Sequence, residues 1–187
     1  MTKYRFAIAA LAGLALLLGS VSAAEPIASG PQVGQKVPGP FYPLNINGPT
    51  AGEKACLFCR NGTNPVAMIF ARETNPAVAK LIKKIDAATV AHQDAKMGSF
   101  VVFLGDSDEL SKQLKGMVAK EGIKSCVLSV DNPAGPEAYK VAKDAAVTVV
   151  LYTQHTVKAN YAFKNGELKD KDIDQIVGDL SKILPKK

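Results

Sequence analysis

The sequence lacks most of what a metal site or a nucleic-acid-binding surface requires. It has only two histidines and three cysteines in 187 residues. A zinc site usually has four ligands, and His92 and His155 have no ligand spacing to the cysteines. We therefore predict no metal site, and the sequence indicates no cofactor. From Lys80 onward, basic and acidic residues are interspersed, so no basic stripe forms and nucleic-acid binding is not predicted.

The chain also lacks an apolar run long enough for a membrane anchor. Its N-terminal run, Phe6 to Leu18, is shorter than the roughly 20 residues of a span. Lys3 and Arg5 precede it, small residues follow at Val21-Ser22-Ala23, and no cysteine is present there to carry a lipid. This layout is typical of a cleavable secretory signal. We predict a signal peptide over 1–24, a secreted or periplasmic protein, and no stable membrane insertion after cleavage.

The mature chain suits one domain. Residues 25–36 are rich in Gly, Pro, Ser and Gln, which predicts a flexible leader that docks late or not at all. We predict that the domain spans 37–187 and that the protein is a monomer. Its first part, 37–48, contains several prolines, which cannot donate to a central ladder, so we expect an extended edge segment.

A buried strand and a capped helix form the centre of the pattern. The run from Pro65 to Arg72 is almost wholly apolar and does not alternate with polar residues, as in a strand buried on both faces. Asn75 is suited to cap a helix and Pro76 to begin it. The connecting turn, where such folds usually place their chemistry, contains no cysteine; it reads Arg72, Glu73, Thr74, Asn75.

The remaining elements alternate in the same way. Strands are predicted over 99–104, 125–130, 147–153 and 157–163, and helices over 109–121, 137–143 and 170–184. The link 154–156 permits only an antiparallel hairpin. The order β-α-β-α-β-α-β-β-α predicts an α/β fold, a mixed five-stranded sheet with helices on both faces.

The closely spaced cysteine pair, Cys56 and Cys59, precedes the first buried strand. Thr50 and Glu53 have the spacing of a capping box, which predicts a short helix ending at Asn61-Gly62. Both cysteines then lie in its middle or last turn, where the helix dipole disfavours a thiolate.

Three roles are open for this pair. Lys54 and Arg60 flank it and favour a thiolate, which supports a redox pair. A disulfide that only staples the loop is equally favoured in a secreted protein. Metal binding is the least favoured alternative, because it would need two more ligands. Cys126, in a predicted strand, is expected to be a small buried hydrophobe; a resolving thiol is the less favoured reading.

From about Gly34 to Leu184 the chain resembles the thioredoxin fold in its peroxiredoxin-like form. The resemblance rests on Gly34, Pro38 and Leu44 with Asn47-Gly48, on the central strand, on the inserted βα unit around 107–130, and on the tail from Val147. It implies a three-layer sandwich and thiol chemistry in the turn after the central strand. Here Arg72, Glu73, Thr74 and Asn75 occupy that turn, and Thr148 stands near the position of the family's cis-proline.

The departure moves any redox chemistry to the upstream pair. Our leading hypothesis is a thiol-disulfide exchange protein acting on protein thiols or disulfides. In it Cys56 is the more exposed nucleophile, Cys59 the resolving partner, and Lys54 and Arg60 stabilise the thiolate. The rival is a non-catalytic binding module in which the pair is a structural disulfide.

Overall fold

The central strand, Val66–Ala71, lies in the interior of the sheet, as its unbroken apolar sequence predicts. A computed structural model describes residues 27–185, so the predicted signal peptide at 1–24 lies outside the described residues. The strands are β1 (Leu44–Asn45), β2 (Val66–Ala71), β3 (Gly98–Leu104), β4 (Val127–Asp131), β5 (Val147–Thr153) and β6 (Thr156–Phe163). The α-helices are α1 (Leu57–Asn61), α2 (Pro76–Ala91), α3 (Asp108–Glu121) and α4 (Asp170–Gly178).

The sheet is mixed, with strand order β1-β4-β3-β2-β5-β6. Strands β2, β3 and β4 are parallel, and β5 pairs antiparallel with β2 and with β6. The sheet has six strands rather than the predicted five, because the edge segment adds β1 antiparallel to β4. That strand is only two residues long, and Pro43 directly precedes it.

Helices cover both faces of the sheet, as predicted. The long helices α2, α3 and α4 bury their apolar sides in one cluster with β2, β3, β4 and β5. The other face is covered by Leu57 of α1, by Val37 and Phe41, and by Tyr139. The Tyr139 ring packs edge-on against Phe41, with centroids 4.9 Å apart.

The start of α2 follows the sequence prediction. Asn75 is the N-cap, its Oδ1 accepts a hydrogen bond from the Val78 N–H at 2.9 Å, and Pro76 is the first helical residue.

Two other helices are shorter than predicted. A 3₁₀ turn, Glu137–Tyr139, replaces the helix over 137–143 because Lys140 adopts a left-handed conformation (φ 50°). The closing helix becomes 3₁₀ after α4.

Residues 27–36 are docked on the sheet, so the prediction of a flexible leader is wrong for them. The Gly34 N–H donates a hydrogen bond to the Val157 carbonyl, and the Val157 N–H donates one to the Gln35 carbonyl, each at 3.0 Å. Ser29 is 1% exposed and shares a 2.6 Å hydroxyl hydrogen bond with Thr148. The segment's polar composition suggested mobility, but strand β6 and Thr148 satisfy its polar groups.

Within residues 27–185, no helix has the length and apolar character needed to cross a bilayer.

Candidate redox site

Cys56 and Cys59 form a disulfide, with Cα atoms 5.3 Å apart. Cys56 is the N-cap of α1, and its Sγ accepts a hydrogen bond from the Cys59 N–H at 3.0 Å. The helix ends at Gly62, as predicted. An N–H aimed at Cys56 Sγ favours the anionic form of that sulfur once the disulfide is reduced.

The predicted capping box is wrong, and with it the position of the cysteines in the helix. Thr50 Oγ1 instead accepts from Asn45 Nδ2 at 2.8 Å, and the Glu53 carbonyl accepts from the Asn45 N–H at 2.9 Å. Gly52 has a φ of 86°, a turn conformation that glycine adopts without strain. Residues 50–53 are therefore a turn held against β1, and the cysteines lie at the beginning of α1, where the dipole favours a thiolate.

The exposure of the two cysteines is the reverse of the prediction. Cys59 is exposed and Cys56 is half-buried. The buried residue between them is Leu57, at 1% exposure, which anchors α1 in the core. An attacking thiol therefore meets Cys59 first, while Cys56 has the hydrogen bond that stabilises a departing thiolate.

Lys54 and Arg60, the predicted supporting cations, are both exposed and flank the pair. Lys54 forms an isolated antiparallel bridge with Leu44, and Arg60 lies in the last turn of α1. Neither belongs to the four ion pairs formed among residues 27–185. Both are therefore available to an incoming anionic group.

Close contact with β3 fixes the position of α1. Asn61 Nδ2 donates to the Leu57 carbonyl at 2.7 Å. A Cβ placed on Gly98, the first residue of β3, would lie 1.8 Å from Asn61 Oδ1. The missing side chain of Gly98 leaves room for the Asn61 side chain against the start of β3.

Two polar side chains that the sequence reading did not place near the pair lie beside Phe58. The Phe58 ring is 4.8 Å from the His155 ring and 6.4 Å from the Tyr152 ring, between centroids. His155 is half-buried. Burial raises the pKa of Tyr152. Neither Tyr152 Oη nor His155 Nε2 has a hydrogen-bond partner among the described residues. Their proximity results from the β5–β6 hairpin turn, which sequence spacing could not place against α1.

The turn after β2 is held by structural contacts. Arg72 donates to the carbonyls of Pro133 at 2.5 Å and Ala142 at 3.4 Å, and burial lowers the pKa of Arg72. Glu73 and Thr74 are half-buried. Asn75 caps α2, and Thr148 is fully buried against Ser29.

These residues and the cysteine pair lie at opposite ends of β2. The turn at Arg72 follows the carboxyl end of the strand, and α1 precedes its amino end. Six residues at about 3.3 Å each make the strand nearly 20 Å long. The residues of the turn after β2 therefore lie far from the disulfide.

Cys126 is a free thiol and 0% exposed, which confirms the prediction of a small buried hydrophobe. Burial raises its pKa to about 12, with a smaller contribution from the nearby Asp86 carboxylate. Since the thiolate is the reactive form, we expect iodoacetamide to leave Cys126 unmodified in the folded protein from pH 7 to about pH 10. Mass spectrometry should detect its alkylation only in denaturant; labelling of the native chain at pH 8 would contradict the burial.

Comparison with solved structures identifies the fold. A proposed protein disulfide isomerase from Bacteroides thetaiotaomicron superposes with a TM-score of 0.64 at 13% identity, covering 86% of this chain and 96% of that one. Peroxidoxin BcpB from Mycobacterium tuberculosis gives 0.61 at 12% identity, over 83% and 99%. DsbE, a proposed thiol:disulfide interchange protein from Chlorobium tepidum, gives 0.54 at 13% identity, over 82% and 99%. The chain has the thioredoxin-like fold.

No protein-family model and no curated protein matches the sequence. At these identities the structural similarity establishes the fold alone, and this fold agrees with the predicted resemblance. The Cys56–Cys59 disulfide within a thioredoxin-like fold supports thiol–disulfide chemistry in general terms.

Proposed function

We propose that this protein exchanges thiols and disulfides with protein substrates through Cys56 and Cys59. The observation that carries the proposal is the hydrogen bond from the Cys59 N–H to Cys56 Sγ. A disulfide that serves only as a staple needs no donor aimed at one sulfur, whereas an exchange site needs one sulfur to leave as a thiolate.

The reaction balances without a cofactor. A substrate thiolate attacks Cys59 Sγ, forming a mixed disulfide and releasing Cys56 as a thiolate. A second substrate thiolate then attacks the substrate sulfur of the mixed disulfide, so that a substrate disulfide forms and Cys59 leaves. Two substrate thiols lose two electrons and two protons, and the protein gains them as a dithiol. The reverse sequence reduces a substrate disulfide.

Arg60 and Lys54 support both directions by stabilising the Cys56 thiolate. The predicted secretory signal fits this chemistry, because disulfides form and persist outside the cytosol. We propose that the mature protein acts as a monomer in a secreted or periplasmic location.

A non-catalytic binding module is the second candidate. It is favoured by the polar contacts that fill the site expected from the resemblance. There Arg72 donates hydrogen bonds to two carbonyls, and the Ser29 hydroxyl is hydrogen-bonded to that of Thr148. In that case the Cys56–Cys59 disulfide stabilises the loop before β2 and does not turn over.

Comparison of the wild type with Cys56→Ser, with dithiothreitol as electron donor and a protein disulfide as substrate, separates the two candidates. We expect the wild type to accelerate reduction well above the uncatalysed rate and Cys56→Ser to fall to background. Cys126→Ser is the matched control and should keep wild-type activity, because that thiol is buried away from solvent. Equal, near-background rates for wild type and Cys56→Ser would leave the binding module as the function.

The reduction potential gives an independent measurement. Equilibration with glutathione buffers should give the Cys56–Cys59 pair a reduction potential above about −300 mV. Structural disulfides typically have potentials below this value and resist reduction.

A further inference from the structure

A polar cavity of about 320 Å³ adjoins the cysteine helix at the amino end of the parallel strands. Leu57, Arg60 and Asn61 of α1 line one side of it, and Lys124 and Ser125, just before β4, line another. Its volume is at the lower end for small-ligand sites. It can hold a few side-chain-sized groups, but not a folded domain.

The charge of the cavity is of one sign. Arg60 and Lys124 are its charged lining residues, and no Asp or Glu is among the described residues that line it. The other polar side chains on its walls are neutral amides and hydroxyls. The amides are those of Asn47, Asn61 and Gln93. Such a lining attracts carboxylates and repels cations.

The nearest buried carboxylate does not cancel this charge preference. Asp86 is 6% exposed and is not part of the lining. Its oxygens accept from the backbone N–H groups of Lys124, Ser125 and Cys126, the last two at 2.7 Å. Those dipoles partly offset its charge, and they fix the backbone that carries the Lys124 side chain.

The cavity and the disulfide share α1. Leu57, Arg60 and Asn61 are spaced by three and four residues and lie on one face of the helix. Arg60 directly follows Cys59 and is four residues from Cys56, so its side chain lies between the cavity and the sulfur pair. A group held in the cavity is therefore bound by the same short helix that carries the reacting sulfurs.

We propose that this cavity selects thiol substrates that carry carboxylates next to the reacting cysteine. The inference rests on the proposed function and names its substrate class. The shared chemistry is a peptide-like thiol with one or two acidic groups. It is found both in a free tripeptide such as glutathione and in a protein cysteine flanked by Asp or Glu.

Single-turnover oxidation of short peptides by the Cys56–Cys59 disulfide tests the proposal. The probes are blocked tripeptides with a central cysteine flanked by two Glu, two Gln or two Lys, and glutathione is the small-thiol arm. Each rate is divided by that peptide's rate with a small aromatic disulfide, which removes differences in thiol ionisation. At low salt we expect the Glu peptide to react roughly three- to tenfold faster than the Gln peptide and the Lys peptide to be slowest. High salt should reduce this ratio towards one.

Variants at the cavity locate the effect. Lys124→Gln should lower the Glu-to-Gln rate ratio, and Lys124→Glu should lower it below one in favour of the Lys peptide. Lys115→Gln, on the exposed surface of α3, removes the same charge elsewhere and should keep the wild-type ratio. Circular dichroism checks the fold; Lys124 bonds Asp86 through its backbone alone.

The outcomes separate this proposal from the one on which it rests. If the wild type oxidises glutathione and all three peptides at equal normalised rates, the cavity proposal is overturned and the exchange function stands. An effect of Lys115→Gln as large as that of Lys124→Gln would also overturn it, since general attraction would then explain the preference. If no peptide is oxidised, both proposals fail together. If glutathione reacts faster than the Gln peptide but the Glu peptide does not, the site is assigned to a free tripeptide. If the Glu peptide reacts faster than the Gln peptide but glutathione does not, the site is assigned to protein cysteines.

Discussion

Replacing Asp86 with alanine is expected to destabilise the protein by about 3 to 5 kcal/mol. The Asp86 carboxylate accepts hydrogen bonds from three successive backbone N–H groups, those of Lys124, Ser125 and Cys126. It joins α2 to the segment that enters β4. Alanine would remove all three charge-assisted bonds at once and leave buried donors without partners, and an unpaired buried donor costs more than the bond itself contributed.

Urea denaturation monitored by circular dichroism measures this effect. Asp86→Asn keeps one acceptor oxygen but no charge, and should fall between alanine and wild type. Asp94→Ala is the matched control, because Asp94 is exposed just after α2, and it should change stability by no more than about 0.5 kcal/mol. A loss of less than about 1 kcal/mol in Asp86→Ala would show that the three N–H groups find other partners, such as water.

The elements that the sequence identified are those whose signals are local. The run before Arg72 is apolar throughout and β2 is fully buried. Asn75-Pro76 carries its own cap and first-turn chemistry, so α2 begins where predicted. The hairpin between β5 and β6 follows from the shortness of its link. In each case neighbouring residues determine the structure, and long-range contacts only reinforce it.

The features that the sequence missed depend on contacts between distant segments. Asp86 looks like one more polar residue on a helix, since its partners are 38 to 40 residues away. Residues 27–36 have the composition of a loose tail, and only β6 and Thr148 reveal that they are docked. The helix at the cysteine pair was placed too early because Thr50 and Glu53 match a cap pattern, whereas pairing with Asn45 holds them in a turn.

That correction changes the chemistry expected of the cysteine pair. A pair in the last turn of a helix would have its thiolate opposed by the dipole, which would favour the staple. The structure places Cys56 at the N-cap with a donor on its sulfur. The fold's usual reaction centre is filled by structural contacts, and the other end of the same strand carries a site whose local geometry suits exchange.

Single-cysteine variants should show a large asymmetry between the two sulfurs. In Cys59→Ser the backbone N–H at position 59 still donates to Cys56 Sγ, so the Cys56 thiolate keeps its stabilisation. In Cys56→Ser the remaining Cys59 lies inside the first turn, without a hydrogen-bond donor to its sulfur among the described residues. We expect Cys56 to be alkylated at least about tenfold faster than Cys59 at pH 6, because the thiolate fraction rises tenfold for each unit by which a thiol's pKa falls.

The pH profile separates ionisation from access. Cys59 is the more exposed residue, so access alone would make it the faster thiol at every pH. If ionisation determines the rate, Cys56 is alkylated faster than Cys59 at low pH. Above about pH 9 both thiols are ionised and the more basic thiolate is the better nucleophile, so the difference in rate should become smaller or change sign. Iodoacetamide rates from pH 5 to 10 measure both profiles. Adding Arg60→Gln to Cys59→Ser should slow Cys56 at low pH, whereas adding Lys115→Gln should not. Faster alkylation of Cys59 over the whole range would mean that the hydrogen bond to Cys56 does not stabilise a thiolate, and the exchange mechanism proposed above would lose its leaving group.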